Sequence, residues 1–449
     1  MRMFRLFAAI VVTACACGAS AAELFREEKT PGGLSFWYLQ RPEAHRSTVV
    51  AGFADVFALN HPDKIGAPAV GASLLRSGPK GITAGEFNEQ LRDLQAGGGV
   101  SAAPMTATFS VEAKPEDLGA AMDLYIRILT EPALRQRDLT RYQKSNVIAR
   151  AQIENSPTSI AAWLTRRLTM GNSPFGNWSE PEAIGKVTLE DIDQWRREVF
   201  ARDNATIIAV GKEDAATFAA HIDRAWSRLP EKARAREGEA PKLSFNGKTI
   251  VLEREMQQTA VVMQGPLEFG SLAEALAFTI GNNAFGGGMD RRLGRAIRQG
   301  QGATYGIGSS VGQPTPRQRT FNISSSFGHD LAAGAIARTK QEYDKWRREG
   351  VSEQEAAASR SLLATGFDRG VESPGGKAQA LLSMFRSGRT AQEEATYTER
   401  LRGIGVAEVN RIVREKAPEK FTTVIVAPKA EGFGADCVIK ALEEIDRCR

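Results

Sequence analysis

Residues 206–210 read Thr-Ile-Ile-Ala-Val, and residues 423–427, which lie 217 positions later, read Thr-Val-Ile-Val-Ala. Both runs are short, apolar and rich in β-branched residues, which is typical of buried strands. A helical pattern precedes each run, from Thr188 in the first case and from Val406 in the second. This repetition suggests that one structural unit occurs twice in the chain.

Two further pairs of segments support the repeat. Ser156-Pro157 and Ser373-Pro374 each open an apolar helical pattern and are also 217 positions apart. Residues 108–111 read Thr-Phe-Ser-Val, and residues 320–323 read Thr-Phe-Asn-Ile at an offset of 212. Four such echoes in the same order predict a duplicated domain of about 215 residues.

The order of strands and helices predicts the fold class. Within each half, strand patterns come first and long amphipathic helices follow. This order favours an α+β fold with two duplicated α/β-sandwich domains, each a mainly antiparallel sheet with helices packed on one face. The predicted strands are 47–57, 99–111, 258–264, 303–311 and 319–326. The predicted domains are residues 22–230 and 249–449, and the charged, apolar-poor segment 231–248 is the predicted linker.

Composition excludes collagen-like, coiled-coil and wholly disordered proteins. Of the 449 residues, 42% are apolar and 25% are charged, which is ordinary for a globular protein. The net charge of +5 is small for this length and the basic residues form no long run, so nucleic-acid binding is not indicated. The chain has only four His and four Cys, which leaves little material for a metal site.

The first 21 residues have the pattern of an export signal. Arg2 and Arg5 precede an apolar stretch at 6–16 that is too short to span a bilayer, and small residues at 19–22 offer a cleavage site. We therefore expect a periplasmic or otherwise exported protein with no transmembrane span after cleavage. In the alternative, Val12-Thr13-Ala14-Cys15 serves as a lipoprotein box, and Cys15 anchors the protein through a lipid.

Cleavage of the signal would leave two cysteines, Cys437 and Cys448. Two cysteines close to the C-terminus of an exported chain predict one disulfide that closes the last helix or tail. The alternative is a pair of free thiols.

The segment richest in unusual residues begins at Gly286-Gly287-Gly288. A basic helix follows and ends near Arg298, and a glycine-rich turn then leads into a strand at Tyr305. A triple glycine lets backbone approach backbone or an extended ligand. The segment has neither the Gly-Lys-Ser/Thr of a phosphate loop nor the glycine spacing of a dinucleotide fingerprint.

This segment, with Arg298 and Tyr305 seven positions apart, resembles the second-half motif of the insulinase/pitrilysin-like M16 peptidases. The resemblance covers nearly the whole mature chain, including the duplicated halves, the linker and the Asp-Asn-Ala-Thr lead-in at 203–206. It implies that the chain forms half of a clam-shell. It also implies that Arg298 and Tyr305 act as catalytic residues, as oxyanion-hole donors across the chamber from zinc. Taken singly, the two residues could also be an ordinary helix-end arginine and a packed strand tyrosine.

The zinc motif of the family is degenerate in this chain. Active members carry His-x-x-Glu-His on a helix and a further Glu about 75 residues later. The matching helix here is 66–78, and the aligned positions hold Ala69, Ala72 and Ser73, while the distal Glu falls near Arg150. The resemblance therefore points to the zinc-less, Arg/Tyr-bearing subunit of bacterial two-subunit M16 peptidases, with no cofactor in this chain and zinc on a partner.

Two glycine triplets are the predicted substrate-binding positions. They are Gly97, Gly98 and Gly99 in the first half and Gly286, Gly287 and Gly288 in the second. The resemblance implies that the strand after the first triplet pairs with an extended peptide. In a half without zinc, this strand could equally be relic architecture.

Three functional hypotheses follow. The first is a non-catalytic subunit of an envelope zinc metallopeptidase complex, which binds peptide, is inactive alone and forms a heterodimer with a zinc-bearing M16 subunit. The second is an M16-fold pseudo-enzyme that acts as a scaffold or peptide-binding protein. The third is a peptidase with unusual metal ligands, for which the four scattered His offer little support. Homodimerisation, the peptide substrate and the identity of the partner stay open.

Overall fold

The computed structural model describes residues 24–171, 173–177, 180–234, 238–299 and 306–449, apart from the side chains at 298 and 299. The predicted signal segment 1–21 and Cys15 lie outside these residues. Two six-stranded sheets organise the described part of the chain, one in each half.

The first sheet has the strand order β1-β2-β6-β3-β5-β4. Its strands are β1 (Arg26–Lys29), β2 (Ser35–Gln40), β3 (Ser47–Ala54), β4 (Gly97–Ala103), β5 (Thr106–Ala113) and β6 (Ala205–Gly211). The pairing of β2 with β6 is parallel, and the other pairings are antiparallel. The apolar run at 206–210 is therefore a central strand, which explains why both of its faces are apolar.

The second sheet has the order β12-β7-β11-β8-β10-β9. Its strands are β7 (Thr249–Glu253), β8 (Thr259–Leu267), β9 (Ile307–Thr315), β10 (Gln318–Phe327), β11 (Thr422–Ala427) and β12 (Cys437–Ile439). Five of these strands repeat the first sheet in order and direction. The order β7-β11-β8-β10-β9 corresponds to β2-β6-β3-β5-β4. The duplication that the sequence predicts is thus present in the strand topology.

The sixth strand differs between the two sheets. In the first sheet it is β1, which comes from the N-terminal side and runs antiparallel to β2. In the second sheet it is β12, which comes from the C-terminal end and runs parallel to β7. Each half therefore completes its sheet with the nearest free segment of chain.

Helices occupy most of the remaining described chain. In the first half they are α1 (Phe57–Asn60), α2 (Ala67–Leu74), α3 (Ala84–Asp93), α4 (Leu118–Thr130), α5 (Gln136–Glu154), α6 (Pro157–Met170), α7 (Pro174–Asn177), α8 (Pro181–Gly185), α9 (Leu189–Val199) and α10 (Ala215–Trp226). In the second half they are α11 (Leu272–Gly286), α12 (Arg292–Gly294), α13 (His329–Glu349), α14 (Glu353–Gly370), α15 (Pro374–Arg386), α16 (Ala391–Ala395), α17 (Tyr397–Gly403) and α18 (Val406–Lys416). None of the helices in the described ranges is both long and apolar enough to cross a bilayer.

The two Ser-Pro pairs begin equivalent helices. Ser156 caps α6, and its hydroxyl accepts a hydrogen bond from the amide of Ser159 at 3.3 Å. Ser373 caps α15 and accepts one from the amide of Gly376 at 3.0 Å. In both helices, proline follows the cap in the first turn, where its missing N–H costs nothing.

Each of these two helices packs on the sheet of the other half. Helix α6, from the first half, packs on β8 and β11 of the second sheet, where Leu164 and Leu168 join a buried cluster with Val424. Helix α15, from the second half, packs on β3 and β6 of the first sheet, where Leu381 joins Val210. The prediction of two α+β halves with mainly antiparallel sheets is confirmed, with one addition. Within the described ranges, each sheet carries helices of its own half on one face, and the opposite face is covered by α15 on the first sheet and by α6 with the 3-10 helix Leu442–Cys448 on the second.

One predicted strand is wrong in its extent. The sequence predicts a single strand over 99–111, whereas the structure has a hairpin of β4 and β5 with a turn at Pro104 and Met105. Met105 has a positive φ of 62°, which allows the chain to reverse there. In the predicted linker 231–248, the described residues form no helix or strand, and β7 begins at Thr249.

A disulfide joins Cys437 to Cys448, with a Cα–Cα distance of 5.7 Å. Cys437 begins β12, and Cys448 ends the 3-10 helix Leu442–Cys448. Cys448 is buried in the cluster that α6 forms on the second sheet. The C-terminal segment therefore packs beside α6.

Candidate functional site

Helix α2 carries the three positions that align with the zinc motif. The side chain of Ala72 is buried, that of Ala69 is half-buried, and Ser73 is exposed. The opposite side of α2 packs on Trp195 of α9, because Gly71 has no side chain. A β-carbon on Gly71 would lie 2.5 Å from Cε3 of that indole ring. This close approach sets the position of α2 in the fold.

Trp195 is held in turn by a buried carboxyl group. Its indole N–H donates a hydrogen bond of 2.8 Å to Asp55, and the amide of Phe57 donates one of 3.1 Å to the same carboxyl. Burial raises the pKa of Asp55 to about 6, although both hydrogen bonds act in the opposite direction. Asp55 supports α2 through Trp195 and was not singled out by the sequence, because one Asp after a strand carries no distinctive pattern.

The fourth aligned position, Arg150, lies on α5 in a closed network of charges. Its Nε donates to Glu180 at 3.1 Å, and its guanidinium carbon lies 4.5 Å from the centre of the Trp163 ring. The other oxygen of Glu180 accepts from Trp163 at 2.6 Å and from Arg166 at 2.9 Å. A second ion pair joins Arg150 to Glu154 at 3.4 Å. A guanidinium paired with two carboxylates therefore lies near the position that the sequence comparison predicts for the distal ligand.

These residues do not fit a zinc ion. Zinc in proteins is bound by thiolate, imidazole and carboxylate groups. Ala69 and Ala72 offer none of these groups, Ser73 offers only a hydroxyl, and Arg150 offers a positive charge. In addition, no group of three or more His, Cys, Asp or Glu side chains with a suitable arrangement occurs within the described ranges.

The first glycine triplet begins β4, which is an edge strand with β5 as its neighbour. Gly98 and Gly99 have φ of 144° and 135°, which other residues rarely adopt. A β-carbon on Gly98 would also collide with the carbonyl of Ser110 on β5 and lie 3.1 Å from Cα of Val111. The glycines therefore let β4 pair with β5 in a backbone conformation that side chains at these positions would not permit.

Strand β4 is also in contact with α2 and the turn that follows it. Helix α2 packs against β4, and Arg76 donates a hydrogen bond of 3.2 Å to the carbonyl of Val100. The degenerate zinc helix and the glycine strand are thus neighbours in space. A peptide that added to β4 would lie beside the positions that correspond to the lost ligands.

The second glycine triplet has a different environment. Gly286 is the last residue of α11, and a β-carbon there would clash with Ser309 of β9, whose amide nitrogen would be 2.8 Å away. The hydroxyl of Ser309 donates to Asn282 at 2.5 Å and fastens the same contact. A β-carbon on Gly287 would meet Asn283 of the preceding helix, whereas one on Gly288 would make only an ordinary contact, 3.9 Å from Cγ of Arg291. Gly286 therefore serves the approach of helix to strand, and a substrate-binding role for the triplet stays a prediction.

Of the two predicted catalytic residues, the structure describes only the backbone of Arg298. Arg298 lies in the π-helical turn Arg295–Gln299 that continues α12, and its side chain is outside the described atoms. Tyr305 lies outside the described residues, shortly before β9 begins at Ile307. Their segment therefore joins α12 to the edge strand that corresponds to β4.

Comparisons with known proteins agree with this architecture. Residues 186–363 match the family described as the Peptidase M16 inactive domain. An uncharacterized zinc protease of Mycobacterium tuberculosis is 19% identical over 327 residues, which are 69% of this chain and 73% of that protein.

Solved structures share the fold. A peptidase M16 inactive domain from Pseudomonas fluorescens has a TM-score of 0.81 and 18% identity, and the match covers 90% of this chain and 98% of that chain. The periplasmic protease PqqL from Escherichia coli has a TM-score of 0.77 and 14% identity, with 95% of this chain and 49% of that chain covered. The chain therefore shares the fold of M16 proteins of known structure, and its residues 186–363 resemble the inactive domain of the M16 peptidases.

Proposed function

We propose that this chain is the non-catalytic subunit of an envelope zinc metallopeptidase. It would pair with a zinc-bearing M16 subunit, bind peptide in the chamber between them and supply Arg298 and Tyr305 to the transition state. The observation that carries the proposal is that the guanidinium of Arg150 is paired with carboxylates of this chain. Its ion pairs with Glu180 and Glu154 support the prediction that the distal ligand is replaced in this chain.

Two features support a role in a two-part assembly. The match to PqqL covers 95% of this chain but only 49% of PqqL, so that protease has room for two such units in one polypeptide. Helix α5 also exposes apolar side chains, since Val147 and Ile148 are 57% and 61% accessible. Exposed apolar groups close to Arg150 are suited to contact with a second subunit or a peptide.

The edge strand β4 supports peptide binding. As an edge strand, it offers backbone N–H and C=O groups to which an extended peptide could add as a further strand, beside the bond that Arg76 makes to the carbonyl of Val100. In this proposal, the chain holds the peptide backbone and the partner supplies the metal. Arg298 and Tyr305 would donate hydrogen bonds to the oxygen that gains negative charge at the scissile carbonyl.

The test is a reconstitution with the mature chain, residues 22–449. The chain is purified alone and also co-expressed with an M16 subunit that has His-x-x-Glu-His, and both samples are assayed for metal content and for cleavage of a fluorogenic peptide. We expect no zinc and no cleavage for the chain alone, and a complex that is much more active than the partner alone. Stoichiometric zinc and cleavage by the chain alone would refute the proposal. Stable assembly without any gain in activity would favour the scaffold hypothesis.

Localisation is part of the same proposal. The basic residues, apolar stretch and small residues of segment 1–21 support export to the periplasm, with a lipid anchor at Cys15 as the alternative. Mass spectrometry of the protein from the soluble periplasmic fraction and from the membrane fraction would distinguish the two. A mature N-terminus at residue 22 or 23 supports cleavage, whereas a lipidated N-terminal Cys15 supports the anchor.

A further inference from the structure

A cavity of about 690 Å³ lies between the end of helix α15 and the second sheet. Four segments form its walls: the stretch before β7, the end of β8 with the start of α11, the β9–β10 turn and the end of α15. The lining residues that matter below are Lys242, Leu243, Phe245, Glu268, Phe269, Leu272, Arg317, Arg319, Met384, Ser387 and Arg389. Its volume is in the range of pockets that hold small ligands.

The cavity is strongly basic. Lys242, Arg317, Arg319 and Arg389 contribute four positive charges, and Glu268 is the single acidic residue in the lining. Arg389, which precedes α16, is paired with one carboxylate among the described residues, that of Glu393 at 4.0 Å. An excess of positive charge in a walled cavity raises the local concentration of anions.

Among the basic residues of the lining, Arg319 has the best-defined hydrogen bonds. Its guanidinium is half-buried and donates hydrogen bonds to the carbonyls of Pro316 and Gln318 and to the hydroxyl of Ser387. All three acceptors are neutral, and no carboxylate in the described part of the chain lies within 4.0 Å of it. Burial, followed by the charge of Arg389, lowers the pKa of Arg319. An anion in the cavity would relieve both effects.

The walls of the cavity are fastened in place. The amide of Gln318 donates to the carbonyl of Pro241 at 2.9 Å and accepts from Thr315 at 2.8 Å, which joins the β9–β10 turn to the stretch before β7. Arg386, at the end of α15, donates to the carbonyl of Ala107 at 3.0 Å and so fixes that helix on the first sheet. The basic groups are therefore presented by a preformed site.

The rest of the lining is apolar. Leu243, Phe245, Phe269, Leu272 and Met384 offer a surface that inorganic anions would not use. A planar guanidinium pairs well with a carboxylate, and the neighbouring apolar surface suits an aliphatic or aromatic group attached to it. The lining thus favours a carboxylate that carries an apolar body.

We propose that this cavity binds the free carboxyl terminus of a peptide, with Arg319 contacting the carboxylate and the apolar wall contacting the last side chain. The choice of a peptide over other apolar carboxylates rests on the proposed function. The carboxylate site itself requires neither the zinc partner nor catalysis.

The test measures binding to the isolated mature chain by calorimetry with three probes. These are N-acetyl-Leu-Phe with a free carboxylate, the same dipeptide as its C-terminal amide, and decanoate. We expect the free acid to bind with saturation, and the amide to bind at least about tenfold more weakly because it lacks the charge. Equal binding of acid and amide, or no saturable binding of the acid up to roughly 10 mM, would overturn the carboxylate site. If decanoate binds as tightly as the dipeptide, the assignment of a peptide is wrong, whatever the outcome of the reconstitution.

Variants locate the binding. Arg319→Gln should weaken binding of the acid at least about tenfold, and Arg319→Lys should restore part of it. Arg348→Gln is the matched control, because it removes one positive charge from an exposed position on α13. Arg317 is exposed, so Arg317→Gln should weaken binding severalfold without any effect on folding. Unchanged affinity in both the Arg317→Gln and Arg319→Gln proteins would overturn the proposal, even if Arg319→Gln lowers stability.

Discussion

Gly52 and Leu382 come from opposite halves of the chain and pack directly against each other. A β-carbon on Gly52, in the middle of β3, would overlap with Cδ1 of Leu382 on α15 and lie 3.2 Å from its Cδ2. Leu382 is fully buried, so it has little room to move aside. The absence of one side chain in the first sheet therefore lets a helix from the second half cover it.

The first prediction tests this contact. Gly52→Ala should lower the free energy of unfolding by about 1–3 kcal/mol, because the methyl group overfills a close-packed interface. Urea unfolding of the mature chain provides the measurement. The additional change Leu382→Ala should cost less in the Gly52→Ala protein than in the wild type, since it removes the overlap.

A glycine with open space is the control for Gly52. Gly366 lies exposed within α14, with no atom near the position of its missing β-carbon. Gly366→Ala should therefore stabilise the protein by about 0.5–1 kcal/mol. If Gly52→Ala were as harmless as Gly366→Ala, the packing of α15 on β3 would be looser than described.

The second prediction concerns pH and the buried Asp55. Its pKa is raised from 3.8 to about 6 on folding, so the folded state favours the protonated form. This contribution to stability is fully present below about pH 4 and is lost as the pH rises through 6, by about 3 kcal/mol in total. Asp55→Asn removes the titration and sacrifices one hydrogen-bond acceptor, at a constant cost of about 1 kcal/mol.

The measurement compares wild type and Asp55→Asn by urea unfolding at several values between pH 4 and pH 8. We expect the wild type to lose stability relative to the variant as the pH rises, because other carboxyl groups titrate in both proteins and cancel in the difference. A difference that is independent of pH would show that Asp55 titrates alike in the folded and unfolded states.

The third prediction concerns the degenerate zinc site. Ala69→His, Ala72→Glu and Ser73→His together should not create a peptidase, because Arg150 still places a positive charge where a carboxylate ligand is needed. Zinc content after dialysis and cleavage of a fluorogenic peptide are the two measurements. Zinc-dependent cleavage by this triple variant would contradict the assignment of Arg150 to the distal position.

Arg150→Glu in the same background is the companion variant. It would place a third carboxylate beside Glu180 and Glu154, which now share the guanidinium. We expect this fourfold variant to lose stability unless zinc is added, and the dependence of its melting temperature on zinc reports whether a site has formed.

The fourth prediction follows from the proposed function. Arg298→Ala or Tyr305→Phe should reduce kcat of the reconstituted complex by about 10²–10³-fold, the usual effect of removing one oxyanion donor. Assembly, measured by size-exclusion chromatography, should not change. Arg295→Ala is the control, because Arg295 is exposed on the same helical turn. If all three variants had the activity of the wild type, neither Arg298 nor Tyr305 would act in the reaction.

The fifth prediction concerns the C-terminal disulfide. Replacement of both Cys437 and Cys448 by Ala should lower the free energy of unfolding by about 2–3 kcal/mol, as expected for closure of a loop of this length. The wild type should lose a similar amount in the presence of a reductant, and the double variant should not respond to it. A wild type whose stability is unaffected by complete reduction would exclude a stabilising role for this bond.

The sequence predicts the duplication because it leaves local signals. The apolar runs at 206–210 and 423–427 occupy equivalent central strands β6 and β11, and Ser156 and Ser373 cap equivalent helices. Strand propensity and helix capping depend on neighbouring residues alone, so both can be read without a structure. The replacement of the zinc ligands is likewise a matter of residue type.

The hairpin of β4 and β5 shows where local reasoning fails. The predicted strand 99–111 runs through Pro104, a residue type that often ends a strand, and the chain turns there with a positive φ at Met105. A conformation of this kind in a non-glycine residue is stabilised by the pairing of the two strands, which is a long-range effect.

By itself, the sequence determined that two like halves form, that each contains strands followed by helices, and that the ordinary ligands of zinc are missing from the aligned positions. Only the tertiary structure decided that α6 and α15 each pack on the sheet of the other half, that Glu180 pairs with Arg150, and that Arg319 lines a basic cavity. The physical reason is that an apolar helix face specifies burial but not the surface that buries it. Packing between distant segments selects the partner, and it also brings together charges that are far apart in the chain.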